Sequence, residues 1–336
     1  MFAITYRKQL LIIAALIVGT SVFLIATLGL RLGIDFTGGS LTEVVYEVAP
    51  EKSVIESVVA AESLGGTSVR ESVDDAGREA YLIRTRDLSE AERVSLTDAV
   101  TSIGTAGEIT RFTSIGPVIG QELRDKAVWA IGGVVGIIVL YVAFAFAGIG
   151  TPVTSWTYGL ITILVLLYDV LVPTAVMSVL GYAAGVEVDV LFVMALLAVL
   201  GYSVNDTIVV FDRVRENLKA NRLEHKVVHK ELGGIEREEV TYTLTKPYEE
   251  IVGTAVQSTL ARSINTSVTT MAVLIALFTL GGSTTQTFAL ILLVGVLAGT
   301  YSSICVASPL VVTYAAWKKK REAAAAKTAE APEKHT

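Results

Sequence analysis

Residues 189–211 read DVLFVMALLAVLGYSVNDTIVVF, an apolar run that, after its opening Asp189, is broken chiefly by the amide of Asn205 and the carboxyl of Asp206. About 20 mainly apolar residues cross a bilayer, so the run predicts a membrane-spanning helix. Outward from it, the same reading gives spans at 9–30, 127–147, 153–180, 264–280 and 288–314. The 264–280 run is short and borrows from the amphipathic stretch ahead of it. Composition agrees, with 52% hydrophobic and only 18% charged residues and a mean hydropathy of +0.59. Soluble domains carry about a quarter charged residues. The expected fold class is an α-helical membrane protein with six transmembrane helices and one inserted α+β domain.

Arg7 and Lys8 ahead of an apolar run also describe a signal peptide, but 9–30 exceeds the roughly 7–15 residues of a signal core, and no A-x-A-like site follows. An uncleaved first span is expected. Cys305, the only cysteine, lies in an apolar run, so no intrachain disulfide is possible. Charge sorts the loops. Residues 31–126 hold 17 acids against 10 bases, a surface unsuited to nucleic acid. Nine lysines and arginines lie from Arg213 to Arg262, and Lys318, Lys319, Lys320 and Arg321 follow the last span, whereas 181–188 and 281–287 hold none. The positive-inside rule then puts both termini and loop 212–263 in the cytoplasm and 31–126 outside. The expected organisation is a first span in 1–30, an extracytoplasmic domain at 31–126, spans two to four within 127–211, a cytoplasmic loop at 212–263, spans five and six within 264–317, and a disordered tail at 318–336.

The outer segment reads as a compact domain. Thr42, Val44, Tyr46 and Val48 alternate with Glu43 and Glu47, the period of a half-buried strand. Val54, Ile55, Val58 and Val59 recur at helical spacing after Pro50. Strands are expected near 67–73 and 80–86, separated by the turn residues Asp74, Asp75 and Gly77. Ser89 and Glu92 form a capping box opening a helix with Leu96, Ala99, Val100 and Ile103 on one face. A last strand near 107–113 completes βαββαβ, the ferredoxin-like order. Loop 212–263 is polar, of mixed charge, and expected to be helical in part.

Ionisable groups within spans are the functional signal, since each costs roughly 2.5–3.5 kcal/mol at a helix centre on insertion scales. Asp206, with Asn205 beside it, is the strongest; the bland reading is a structural carboxyl bonded to a neighbouring helix. Arg262 is its natural partner, and Ser258, Arg262, Asn265, Thr266 and Thr269 make one polar stripe leading into the fifth span. Arg262 snorkelling to the interface is the rival account. Asp169 lies mid-span just ahead of Pro173, with an inter-helix hydrogen bond as its bland reading. Asp212 and Arg213 read as topology anchors. His225 and His229 have metal-ligand spacing but lack the glutamate of H-E-x-x-H and any third ligand, so a solvated loop is expected. Gly38 and Gly39 lack a phosphate-loop lysine and read as a tight turn. No cofactor, metal or enzymatic reaction is expected.

Four runs carry a resemblance. GIDFTGGS at 33–40, SIGPVIGQEL at 114–123, GYSVNDTIVVFDR at 201–213 and ARSINTSVTT at 261–270 resemble, in order, segments of the SecF branch of the SecD/SecF protein-export family, within the resistance-nodulation-division superfamily. The resemblance implies a SecD-like partner, association with the SecYEG channel, exported unfolded polypeptides as cargo, and use of the proton gradient for late steps of export. It also implies that Asp206 and Arg262 serve proton passage. The 219–248 stretch is longer than that family's usual loop.

Two rivals fit less well. Asp169 and Asp206 on neighbouring spans are similar to the paired aspartates of intramembrane proteases, yet Ser203-Val204-Asn205 stands where those enzymes carry Gly-x-Gly before the second aspartate. A small-molecule exporter of the same superfamily usually holds two six-span halves in one chain, and only one is present here.

Overall fold

The computed structural model describes residues 2–74, 77–104, 107–145, 153–230 and 236–329. A short helix α1 (Phe2–Thr5) leads into α2 (Arg7–Leu28), followed by the turn-long α3 (Ile34–Thr37). The outer segment then runs β1 (Gly39–Val45), α4 (Lys52–Ala61), β2 (Ser68–Val73), β3 (Glu79–Thr85), α5 (Glu90–Thr101) and β4 (Glu108–Ile115). Long helices follow: α6 (Pro117–Ala145), α7 (Ser155–Ala184) and α8 (Val190–Ala220). A hairpin of β5 (Arg222–Lys230) and β6 (Glu236–Leu244) precedes α9 (Tyr248–Leu280). The chain ends on α10 (Ser283–Ser302), a π-helical turn at Ser303–Ala307, and α11 (Ser308–Ala329). Six of these helical stretches are long and apolar enough to cross a membrane, the last continuous through the π turn.

Four of the outer elements make one antiparallel sheet in the order β2-β3-β1-β4. One face is closed by α4 and α5, whose Ile55, Val59, Leu96 and Val100 pack on Val44, Tyr46, Val69, Tyr81 and Ile83. Tyr46 donates a hydrogen bond to the Val100 carbonyl at 2.8 Å, and burial pushes its phenol up to about 12. Ser89 and Glu92 form the expected capping box at the start of α5. The first strand ends three residues earlier than the alternation predicts, and Val48 lies exposed beyond it. Val54 likewise faces solvent, so the buried helix face is narrower than the apolar run.

Several membrane-side elements extend beyond their predicted bounds. The second span begins at Pro117, with a polar turn carrying Glu122, Arg124, Asp125 and Lys126. The fourth continues to Ala220, and the fifth gains four turns ahead of residue 264. Loop 212–263, expected to be helical in part, also holds the β5–β6 hairpin. Past Trp317, where disorder is expected, α11 runs on to Ala329, because an Ala/Lys/Glu sequence has high helix propensity even without an apolar face. Residues 330–336, Asp75 and loop 148–152 lie outside the described residues, as do the side chains of His225 and His229.

The outer domain joins the bundle at two glycine-bearing crossings. Gly38 and Gly39 have φ of 75° and 126°, and a Cβ at Gly38 would stand 2.7 Å from the Pro117 Cα. Gly120 returns the fit, a Cβ there meeting the Gly38 nitrogen at 2.7 Å. Gly38, one of the two glycines expected to make a tight turn, thus also locks the incoming and outgoing chains together, while Gly39 lies close against the Thr85 carbonyl of β3.

Candidate functional site

The site sits where α7, α8, α9 and α10 cross. Gly295 and Gly299 of α10 face Val199 and Ser203 of α8, and a Cβ at Gly295 would collide with Val199. This Gly-x-x-x-Gly spacing brings two helix backbones close, as small residues do within membranes. Behind the contact, Asp169 of α7 is fully buried and one carboxylate oxygen accepts a hydrogen bond from Ser203. Its other oxygen, Oδ1, has no hydrogen-bond partner among the described residues. Pro173 has no N–H to give the Asp169 carbonyl, so the backbone there is polar as well. Ser302 and Ser303, both fully buried, stand at the end of α10, where the ladder widens into the π turn just ahead of Pro309.

Asp206 lies one turn further along α8, 4% exposed, with Oδ2 lacking a hydrogen-bond partner among the described residues. The α8–α9 register is set by Tyr202 donating to Ser267 at 3.2 Å and Arg213 donating to Ser258 at 3.3 Å. That antiparallel register puts Asp206 level with Ser263, whose hydroxyl is also buried without a partner among the described residues. Ser267 in turn shares a 2.6 Å hydrogen bond with Thr300 of α10. Two hydrogen-bonded sets therefore stand in the bundle interior, Asp169–Ser203 and Tyr202–Ser267–Thr300, with the buried polar groups of Asp206 and Ser263 beside them.

The predicted stripe on α9 is placed differently from the interior. Arg262, Asn265, Thr266 and Thr269 are exposed on the flank of α9, and Asn205 is exposed on α8. Thr266 bonds back to the Arg262 carbonyl and Thr269 to the Thr266 carbonyl. Arg262 is near enough for its charge to act on Asp206, although no direct ion pair joins them among the described residues. Asp206 and Arg262 thus come together at the edge of the bundle, while Asp169 stands apart as the inner carboxyl. The inter-helix hydrogen bond of the bland reading of Asp169 is present, from Ser203 of α8. Arg213 pairs with Glu216 at 2.6 Å, at the end of α8. Sequence reasoning misses Ser203, Ser263, Ser267 and Thr300; the four-residue spacing of Ser263 and Ser267 within a span, and the Gly-x-x-x-Gly of Gly295 and Gly299 beside Thr300, are the signals that could mark them. Among the described residues no group of three or more His, Cys, Asp or Glu could hold a metal.

The pattern "Protein export membrane protein SecD/SecF, C-terminal" matches residues 95–230 and 235–317, and the "SecD/SecF GG Motif" matches 23–49. The chain belongs to the SecD/SecF family of protein-export membrane proteins. It is 35% identical over 329 residues to the protein translocase subunit SecF of Thermobaculum terrenum, covering 94% of this chain and 92% of that one. It is 35% identical to the protein translocase subunit SecDF of Thermus thermophilus, covering 93% of the chain but 37% of the relative. The crystal structure of SecDF from that organism superimposes with a TM-score of 0.75 at 32% identity, covering 93% of this chain and 38% of that one. SecDF in the super-membrane-facing form gives 0.59 at 32% identity over 97% of the chain and 39% of that one. The chain thus spans under two fifths of the length of the SecDF chains. It is a multi-pass membrane subunit of the Sec protein-export type, and neither the exporter nor the protease reading is favoured.

Proposed function

We propose that the chain is the SecF-type half of a proton-driven export device of the cytoplasmic membrane, completed by a SecD-like subunit and acting with the SecYEG channel on unfolded polypeptides. Both termini and loop 212–263 face the cytoplasm in this reading, and residues 31–126 face outside, as the lysine and arginine distribution favours. The observation that carries it is Asp206: buried, with one carboxylate oxygen unpartnered, beside an exposed flank of Arg262, Asn265, Thr266 and Thr269. A polar flank on an apolar span is costly against lipid, and a second six-span subunit covers it. The match to the SecD/SecF family and to the SecDF crystal structure supports the same reading.

Protonation of Asp206 removes the charge that holds Arg262 near it, so two helix arrangements alternate with proton arrival and departure. Asn205 borders the same carboxyl from the exposed side, and Asp169 is the inner station, held by Ser203. One proton moved through the membrane field yields about 2.3 kcal/mol per 100 mV. That biases a two-state equilibrium roughly fifty-fold. No bond-making step is required of the chain; it is a translocase subunit. The test is export into vesicles holding SecYEG with the SecD-like subunit, this chain, or both. Only the pair should respond to an imposed proton gradient, and a full response from this chain alone would contradict the reading.

A further inference from the structure

The second face of the outer-domain sheet carries no packed helix layer among the described residues. Its residues stand in two cross-strand rows, Ser68–Arg84–Leu41–Thr113 and Arg70–Leu82–Glu43–Arg111. This face looks onto the loop between α7 and α8 across a cavity of about 150 Å³, also lined by Asp35, Glu187 and Asp189. A contact lined by so many charges is the kind that domains shift across, unlike a packed apolar seam.

Hydrogen bonds bridge the cleft, among them one from Arg70 of β2 to the Gly185 carbonyl at 3.4 Å. Arg84 of β3 donates to Glu187 Oε1 at 2.6 Å, to the Leu32 carbonyl at 3.0 Å and to Thr37 Oγ1 at 2.8 Å. Gly33 donates to the Val188 carbonyl at 2.8 Å, and Val188 donates to the Arg31 carbonyl at 2.7 Å. Asp35 accepts from the Val190 N–H at 2.9 Å while Asp189 accepts from Phe192, so two carboxylates cap the N-terminus of α8. Carboxylates suit a helix N-terminus, where unpaired N–H groups and the helix dipole favour negative charge. The helix they grip is the one that carries Asp206, about 24 Å further along at 1.5 Å per residue.

We propose that Arg84, Glu187 and Asp35 form the contact through which movement of α8 reaches the outer domain. Arg84 and Glu187 tie the sheet to the α7–α8 loop, and Asp35 ties the chain entering the domain to the helix end. A displacement of α8 at Asp206 is carried along a continuous helix to this clasp. From there it tilts the domain about the crossings at Gly38, Gly39 and Gly120. The three act through α8 and touch neither proton nor cargo, so they are positioning residues. The proposal rests on the proton-coupled reading above.

The test uses the whole complex in vesicles, in a Cys305→Ser background with Thr113→Cys as a reporter inside the cleft. Two quantities are read with and without a proton gradient: labelling of the reporter by an impermeant thiol reagent, and export. The complex with its clasp intact should change its labelling rate when the gradient is applied, and Asp206→Asn should abolish the change. Arg84→Ala and Glu187→Ala should make labelling fast and independent of the gradient. They should remove most gradient-stimulated export while leaving gradient-free export within about two-fold of its level. Arg84→Lys, which keeps the charge but loses the planar fork, should fall between, which a mere folding defect would not produce. Clasp variants whose labelling and export still follow the gradient as in the intact complex would overturn the proposal. An intact complex that ignores the gradient would instead overturn the proton-coupled reading, and this proposal with it.

Discussion

Gly299 of α10 and Ser203 of α8 meet backbone to backbone: a Cβ at Gly299 would lie 3.0 Å from the Ser203 Cβ and 3.4 Å from its Cα. One turn earlier, Gly295 leaves no room beside Val199. Gly295→Ala should therefore lower stability in detergent by about 1–3 kcal/mol, the usual penalty of overpacking. Gly201→Ala is the control, because nothing lies within 4 Å of its Cβ position. It should be neutral or slightly stabilising, since glycine within a helix costs about 0.5–1 kcal/mol relative to alanine. Equal thermal shifts for the two substitutions would mean that the close crossing of α8 and α10 is not a determinant of stability.

Ser203 donates a hydrogen bond to the buried Asp169 carboxylate, whose Oδ1 has no hydrogen-bond partner among the described residues. Ser203→Ala should destabilise the bundle by about 1–3 kcal/mol through an unsatisfied buried acceptor. In an Asp169→Leu background the same substitution should matter much less. A double-mutant cycle with no coupling would assign Ser203 to packing alone.

The outer domain has an acid-sensitive joint. Hydrogen bonding by Arg86, and then by the Ser89 backbone and hydroxyl, holds the Glu92 carboxyl down at about 2. The unfolded value is about 4.3. A depressed folded value contributes stability that is fully present above the unfolded pKa and is lost as pH falls through about 2. A fragment of residues 36–115 should fold by itself with mixed helix–sheet circular dichroism, and its thermal midpoint should fall between about pH 4 and 2. Glu92→Gln should flatten that part of the profile. An unfolded fragment, or an unchanged slope, counts against the assignment.

Orientation is open to direct labelling. In a Cys305→Ser background, cysteines at the exposed positions Ser53 and Lys246 should react oppositely with an impermeant reagent applied from outside: the first labelled, the second protected. Labelling of both from one side would break the topology drawn from the Lys/Arg bias.

The parts readable from sequence were those that a local pattern encodes. Long apolar runs marked the spans, the Ser89–Glu92 spacing marked α5, and Asp206 stood out because a carboxyl in an apolar helix needs a reason. What escaped was set by tertiary contact or by diluted hydropathy. The fifth span was read short because Ser258, Arg262 and their neighbours mask the helix that begins at Tyr248. The β5–β6 hairpin was hidden by charged residues at both strand phases. That Asp169 pairs with Ser203, or that Arg262 faces outward while Ser263 faces in, depends on how α8 rotates against α7 and α9. No single-helix pattern contains that rotation.

Asp206 is proposed to change protonation as export proceeds, and gradient-stimulated export in vesicles holding the full complex measures this directly. Asp206→Asn keeps size and hydrogen bonding but cannot titrate. It should insert and assemble normally, retain gradient-free export, and lose at least about nine-tenths of the stimulation, as expected when a bias worth about 2.3 kcal/mol per 100 mV is removed. Asp206→Glu should keep part of it. Asp206→Asn vesicles that respond to the gradient as strongly as unsubstituted ones would show that the buried carboxyl is structural and would contradict the account.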